Sequence, residues 1–124
     1  MSLPNADLPS PAVLDIAACT EAPLCYRPAA ENVLAGDPQQ KAWNRFTSAD
    51  GRFNCGIWEA AIGKWRVSFT ENEFCYLLAG VVAVTGDDGT HRVYRAGDAF
   101  VTPAGFTGTW EVTEAARKYY AVYE

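Results

Sequence analysis

The sequence predicts an all-β domain, a sandwich or barrel of short strands preceded by an irregular arm. Segments rich in β-branched and aromatic residues recur at short, regular intervals between turn signals. No long stretch carries a convincing helical period. Six of the seven prolines fall by residue 38, and nine of the ten glycines from Gly51 onward. Proline has no ladder donor and breaks helices, so the early segment resists both helices and central strands.

Residues 1–40 are read as the arm, with one short helical turn over 29–34. Its apolar residues (Val13, Leu14, Ile16, Leu24, Val33, Leu34) favour packing along a sheet, of this subunit or of a partner. Residues 41–124 form the β domain. A strand over 43–46 runs to the turn Ser48-Ala49-Asp50-Gly51, and a second covers 53–60. Gly63 precedes a strand over 65–69, and 73–78 runs to Gly80. Segments 81–85 and 91–95 flank Gly86-Asp87-Asp88-Gly89, a hairpin loop whose glycines supply positive φ. The turn Ala96-Gly97-Asp98 leads to 99–102, and Thr102-Pro103-Ala104-Gly105 suits a β-turn. Segments 107–112 and 118–123 complete eight or nine strands. The stretch 115–120 has some helical character, but its aromatic end favours a strand.

At 124 residues and 13.5 kDa the chain is one domain with one core. Hydrophobic residues at 49% and charged residues at 20% exclude a disordered protein. A net charge of −5 and a pI near 4.8 disfavour nucleic acid as a partner. No apolar run approaches the ~20 residues needed to cross a bilayer, so no membrane is expected. Residues 1–12 lack a basic start and an apolar stretch, which argues against a secretory leader. Cys19, Cys25, Cys55 and Cys75 match no zinc or redox spacing and are read as reduced thiols of a cytoplasmic protein. Cys75 lies in the apolar run Phe74-Cys75-Tyr76-Leu77-Leu78, which suits a small buried filler better than a reactive thiolate.

An ordered series extends over more than half the chain: Trp58-Glu59, Gly63-Lys64-Trp65, Glu73 through Gly80, Gly97 through Phe106, Thr109-Trp110-Glu111 and Arg117 through Tyr120. With these residues the chain resembles the cupin superfamily. It is similar in particular to short single-domain cupins related to the (S)-ureidoglycine aminohydrolase cupin domains. The resemblance implies a cupin-type jelly-roll β-barrel. It also implies where a metal would sit. The first cupin motif is Gly, five residues, His-x-His, three or four residues, Glu, six residues, Gly. Glu73 and Gly80 match it, but the histidine positions hold Val67 and Phe69, and Ala61 stands at the leading glycine. The second motif is Gly, five residues, Pro-x-Gly, two residues, His, three residues, Asn. Gly97, Pro103 and Gly105 match, while Gly108 and Val112 stand at the last two. The pattern keeps the barrel and loses three imidazoles, so no metal and no cofactor are expected. A Glu73–Cys75 pair is the best surviving alternative, and two such ligands leave most positions to water.

Strand alternation puts Val67, Phe69, Glu73, Cys75 and Leu77 on one inward face, opposite Gly108, Trp110 and Val112. For the last strand, Lys118, Tyr120 and Val122 oppose Arg117, Tyr119, Ala121 and Tyr123, and the pattern does not orient it. If Lys118 and Tyr120 face inward, Glu73 gains a cationic partner and a nearby phenol. A carboxylate in an apolar barrel needs such a partner or takes up a proton. The group then forms either a structural link in a filled core or the polar end of a pocket. Trp110 is either core filler or an aromatic wall for a ligand. Gly108 either opens room for a ligand or permits close packing. Trp58, Trp65 and Phe106 suit the core or a subunit interface, and His91 is expected in solvent without a role.

The pocket candidates are therefore Val67, Phe69, Glu73, Cys75, Gly108, Trp110, Lys118 and Tyr120. They favour a cupin with a degenerate metal site that binds a small polar organic ligand. An enzyme of ureide or amide metabolism is the alternative, with Glu73 as base and Lys118 or Tyr120 as proton donor. A structural dimer module is the third reading. A homodimer is expected, the arm packing partly across the partner.

Overall fold

Prolines and glycines set where strands begin and end. The computed structural model describes residues 11–124, so the first ten arm residues and most of the segment read for a leader lie outside the described residues. The strands are β1 (Leu24–Tyr26), β2 (Val33–Gly36), β3 (Gln40–Thr47), β4 (Phe53–Ala60), β5 (Gly63–Ser68), β6 (Asn72–Gly86), β7 (His91–Arg95), β8 (Ala99–Thr102) and β9 (Thr107–Tyr123), with one 3-10 turn at Ala30–Asn32.

The expectation of an irregular segment up to residue 40 is corrected between residues 24 and 36. Pro23 and Pro28 bracket β1 and Pro38 precedes β3, so the prolines flank short strands instead of interrupting them. Both new strands lie at the two ends of the sheet order β1-β3-β4-β9-β5-β2, where proline neighbours cost little pairing. Residues 11–23 contain no strand or helix. They lie along β3 of their own chain: the Trp43 indole donates to Glu21 O at 3.0 Å, and Arg45 Nη2 donates to Ala18 O at 3.0 Å and Asp15 O at 3.2 Å.

Two pairs of expected strands are each continuous. Segments 73–78 and 81–85 form the single strand β6, and 107–112 with 118–123 form β9. These two antiparallel strands hold the barrel together. The first half of β9 pairs with β5 and its second half with β4. Likewise β6 pairs with β8 near its start and with β7 near its end, while its other edge follows β9. The strands thus serve both halves of the curled sheet, and between the halves their register shifts from Leu77 to Val82.

Gly80 makes that shift possible. Its φ is +85°, and a Cβ there would lie 2.2 Å from Ala115 O. The bend admits no side chain and no ordinary L-residue backbone. The two halves enclose a core of Trp58, Trp65, Cys75, Leu77, Val82, Phe100, Trp110 and Val112. Among the described residues no helix is long and apolar enough to cross a membrane.

Candidate functional site

Inside the barrel lies an open cavity of about 360 Å³, bounded by Tyr26, Gln40, Ala42, Trp58, Trp65, Val67, Phe69, Glu71, Glu73, Trp110, Lys118, Tyr120 and Val122. Period-two alternation delivers these side chains. Glu73, Cys75 and Leu77 of β6 are buried while Phe74 and Tyr76 between them are exposed. On β9 the same alternation turns Lys118, Tyr120 and Val122 to the cavity, which fixes the orientation that the sequence pattern leaves open.

The buried end of the cavity is charged. Lys118 Nζ donates to Glu73 Oε2 at 2.9 Å, with the residues 3% and 8% exposed. The same ammonium reaches Cys75 Sγ at 3.3 Å and lies 4.3 Å from the Trp58 ring centre and 4.6 Å from that of Trp110. One carboxylate, one thiol and two indole faces therefore surround it, the combination that makes a desolvated cation tolerable. Burial alone drives Lys118 toward the neutral amine, but the Glu73 carboxylate and then Cys75 override it and hold its pKa above the usual lysine value.

The surrounding acids are raised as well, and there burial is the leading cause. Burial raises the Cys75 thiol to about 12, despite the nearby ammonium, so Cys75 is an inert thiol at neutral pH. Burial likewise raises the Tyr120 phenol to about 12, and its hydroxyl donates to Asn44 Oδ1 at 2.9 Å instead of to Glu73. Tyr26 is raised by burial. Glu71 is raised by burial first and then by repulsion from Glu73 and Glu124.

Three tryptophans form the walls. Trp58 meets Trp110 edge-on at 6.1 Å and Trp65 at 6.5 Å, and Phe69 also meets Trp110 edge-on at 6.1 Å. The Trp58 indole is fixed by donation to Gln40 Oε1 at 2.9 Å. Trp110 is thus both core and wall.

Of the eight candidate residues, Val67, Phe69, Glu73, Trp110, Lys118 and Tyr120 line the cavity. Two do not. Cys75 lies behind Lys118, fully buried. Gly108 makes no room for a ligand: a Cβ there would lie 2.0 Å from Thr85 O, so this glycine lets the β9 backbone pass against β6. Tyr26, Gln40 and Glu71 were missed by the strand pattern. Tyr26 and Gln40 come from the segment read as an arm, and Glu71 sits in the loop between β5 and β6. A glutamate two residues before Glu73 was the one available signal.

A three-histidine metal centre does not fit this donor set. Val67, Phe69 and Gly108 carry no donor atoms, and Lys118 holds the Glu73 carboxylate. His91 is exposed at the start of β7, with its Nδ1 2.8 Å from Thr85 Oγ1. Among the described residues no three His, Cys, Asp or Glu side chains are grouped to hold an ion.

Residues 47–120 match the family model of the EutQ-like cupin domain, more than half of the chain. A protein of unknown function of the DUF861 family from Pseudomonas syringae pv. tomato str. DC3000 superposes with a TM-score of 0.76 at 22% identity, over 88% of this chain and 46% of that one. The Clostridium difficile EutQ protein gives 0.62 at 22% identity, over 69% of this chain and 68% of that one. A DUF861 family protein from Thermotoga maritima is 39% identical over 52% of this chain and 73% of its own, with a TM-score of 0.51. The chain thus spans less than half of the Pseudomonas protein, and the two likenesses at 22% identity speak for the fold alone. No curated protein matches the sequence.

Proposed function

The chain belongs to the EutQ-like cupin domain family, and we propose that it is a metal-independent member that binds a small polar organic molecule in its barrel. One observation carries this reading: an open cavity of about 360 Å³ ends on the buried Lys118–Glu73 pair. Ligand sites of this kind combine apolar walls with a few fixed polar groups. Here the aromatic side chains supply the walls, and Lys118 is the fixed cation beneath them. Four free cysteines suit a reducing compartment such as the cytoplasm.

Aminohydrolase-like chemistry on ureides or amides, the reading drawn from the (S)-ureidoglycine aminohydrolase resemblance, receives less support. Glu73 as base would have to leave Lys118, and Tyr120 as donor would have to leave Asn44. A phenol raised to about 12 is also a poor proton donor near neutral pH.

Ligand-observed NMR with a broad set of small polar molecules tests binding, using Ala42→Trp to fill the cavity. Binding to the wild type that disappears in a folded Ala42→Trp protein is the expected result. Absence of binding, or binding unaffected by the block, would contradict the proposal.

We also propose that the chain forms a homodimer. Phe53, Phe74, Tyr76, Val101 and Tyr123 are exposed on the outer face of β4, β6, β8 and β9, and Tyr76 stacks on Tyr119 at 6.5 Å. Such an apolar and aromatic face, edged by the Arg52 guanidinium over the Tyr123 ring, suits a second copy on a chain of net charge −5 whose charged remainder would repel one.

A further inference from the structure

We infer that the pocket selects a small organic cation, an amine or quaternary ammonium group, over an anion of the same size. The inference rests on the pocket reading above and assigns its ligand class. Three acidic or basic side chains that carry charge near neutral pH line the cavity: the carboxylates Glu71 and Glu73 and the ammonium Lys118. Lys118 is already matched to Glu73. Glu71 forms no ion pair among the described residues, Lys118 acting on it only at longer range, and it is half-buried.

A second observation points the same way. Glu73 is nine-tenths buried and meets Lys118 through Oε2 alone. Lys118 reaches only one of the two carboxylate oxygens, and Glu73 borders the cavity, so its negative charge also faces a bound cation. The walls supply aromatic faces, which attract cations by their quadrupole and most strongly where water is excluded. Lys118 shows this preference within the protein itself, over Trp58 and Trp110. Trp65, Phe69 and Tyr26 present further rings to the cavity. An anionic ligand would instead meet Glu71 and Glu73 together. Glu71 is held toward its protonated form by burial and by Glu73 and Glu124, the condition that a bound cation relieves.

Tetramethylammonium, tert-butanol and pivalate provide a cation, a neutral molecule and an anion of similar bulk. Their affinities are read by titration of the tryptophan fluorescence and by calorimetry on the whole chain. Tetramethylammonium is expected to bind about tenfold tighter than pivalate, with tert-butanol between them. Glu71→Gln, a change at a partly exposed position, should weaken tetramethylammonium about three- to fivefold and leave tert-butanol unchanged. Pivalate or tert-butanol binding as tightly as tetramethylammonium would overturn the cation inference and leave the pocket reading standing. Failure of tetramethylammonium to bind would also overturn it, and the broad screen with Ala42→Trp separately decides the pocket. A Glu71→Gln protein with unchanged tetramethylammonium affinity would remove Glu71 from the assignment and sink the inference as stated.

Discussion

Lys118 and Glu73 face each other across β9 and β6, 2.9 Å apart and almost sealed from solvent at the inner end of the barrel. Their Cα positions are not direct partners: Glu73 pairs with Val122, and Lys118 pairs with Leu77. The long lysine side chain therefore runs along the sheet to reach the carboxylate, passing beneath Trp58 and Trp110. Both its length and its charge are used.

Breaking the pair from either side should be costly. Glu73→Gln leaves a buried ammonium and Lys118→Met a buried carboxylate, and each should lose about 3–5 kcal/mol in urea unfolding. The double variant should recover about 1–3 kcal/mol relative to the summed single losses, because neither charge is then left alone. Single losses under about 0.5 kcal/mol would match an exposed pair instead.

Alkaline pH should destabilise the protein. Unfolded Cys75 loses its proton near 9.0, while the folded protein holds it to about 12. Over that interval the unfolded state binds fewer protons, so stability, full below 9.0, falls as pH rises. Tyr120 acts in the same sense from 10.0 to about 12, and Lys118 does so above 10.5. The expected loss is on the order of a few kcal/mol across the window. Cys75→Ala should make the slope of stability against pH shallower above 9.0, while Cys55, also raised from 9.0 by burial, keeps the onset in place.

Glu71 provides a test at the acidic end. Its pKa is raised from 4.5, so its contribution is present below 4.5 and is lost as pH rises through the folded value. Glu71→Gln should therefore raise Tm slightly at neutral pH and leave it unchanged in acid. A lower Tm at neutral pH would mean that Glu71 has a stabilising partner.

The inward residues of β6 and β9 were legible because the period of two is unbroken in Glu73, Cys75 and Leu77 and in Gly108, Trp110 and Val112. Lys118 was legible only as one of two orientations, since Tyr119 and Tyr120 make both faces of that strand aromatic. Its orientation follows from the register with β4, where Trp58 lies opposite Lys118. The choice between the two readings of Gly108 was not legible, because a glycine's closest neighbour across a sheet, here Thr85 O, leaves no trace in the sequence. Tyr26 was hidden by the prolines around it, which permit a short strand at an edge, and Gln40 by Pro38, two residues ahead of the strand that it begins.

The outer aromatic face predicts self-association. Light scattering should give a dimer, and Phe74→Glu with Tyr76→Glu should shift it toward monomer by placing charges in the contact. Trimming residues 1–21 should leave the dimer intact, because the described part of that segment lies along β3 of its own chain. A monomeric wild-type protein, or a dimer lost only on trimming, would contradict this assignment.

The central claim is that the cation at the inner end of this barrel is the Lys118 ammonium and not a metal ion. Elemental analysis of protein purified without chelator tests it most directly. The expected result is no stoichiometric transition metal, since Val67, Phe69 and Gly108 provide no donors and Glu73 is held by Lys118. Close to one manganese, iron, nickel or zinc ion per chain would contradict the account.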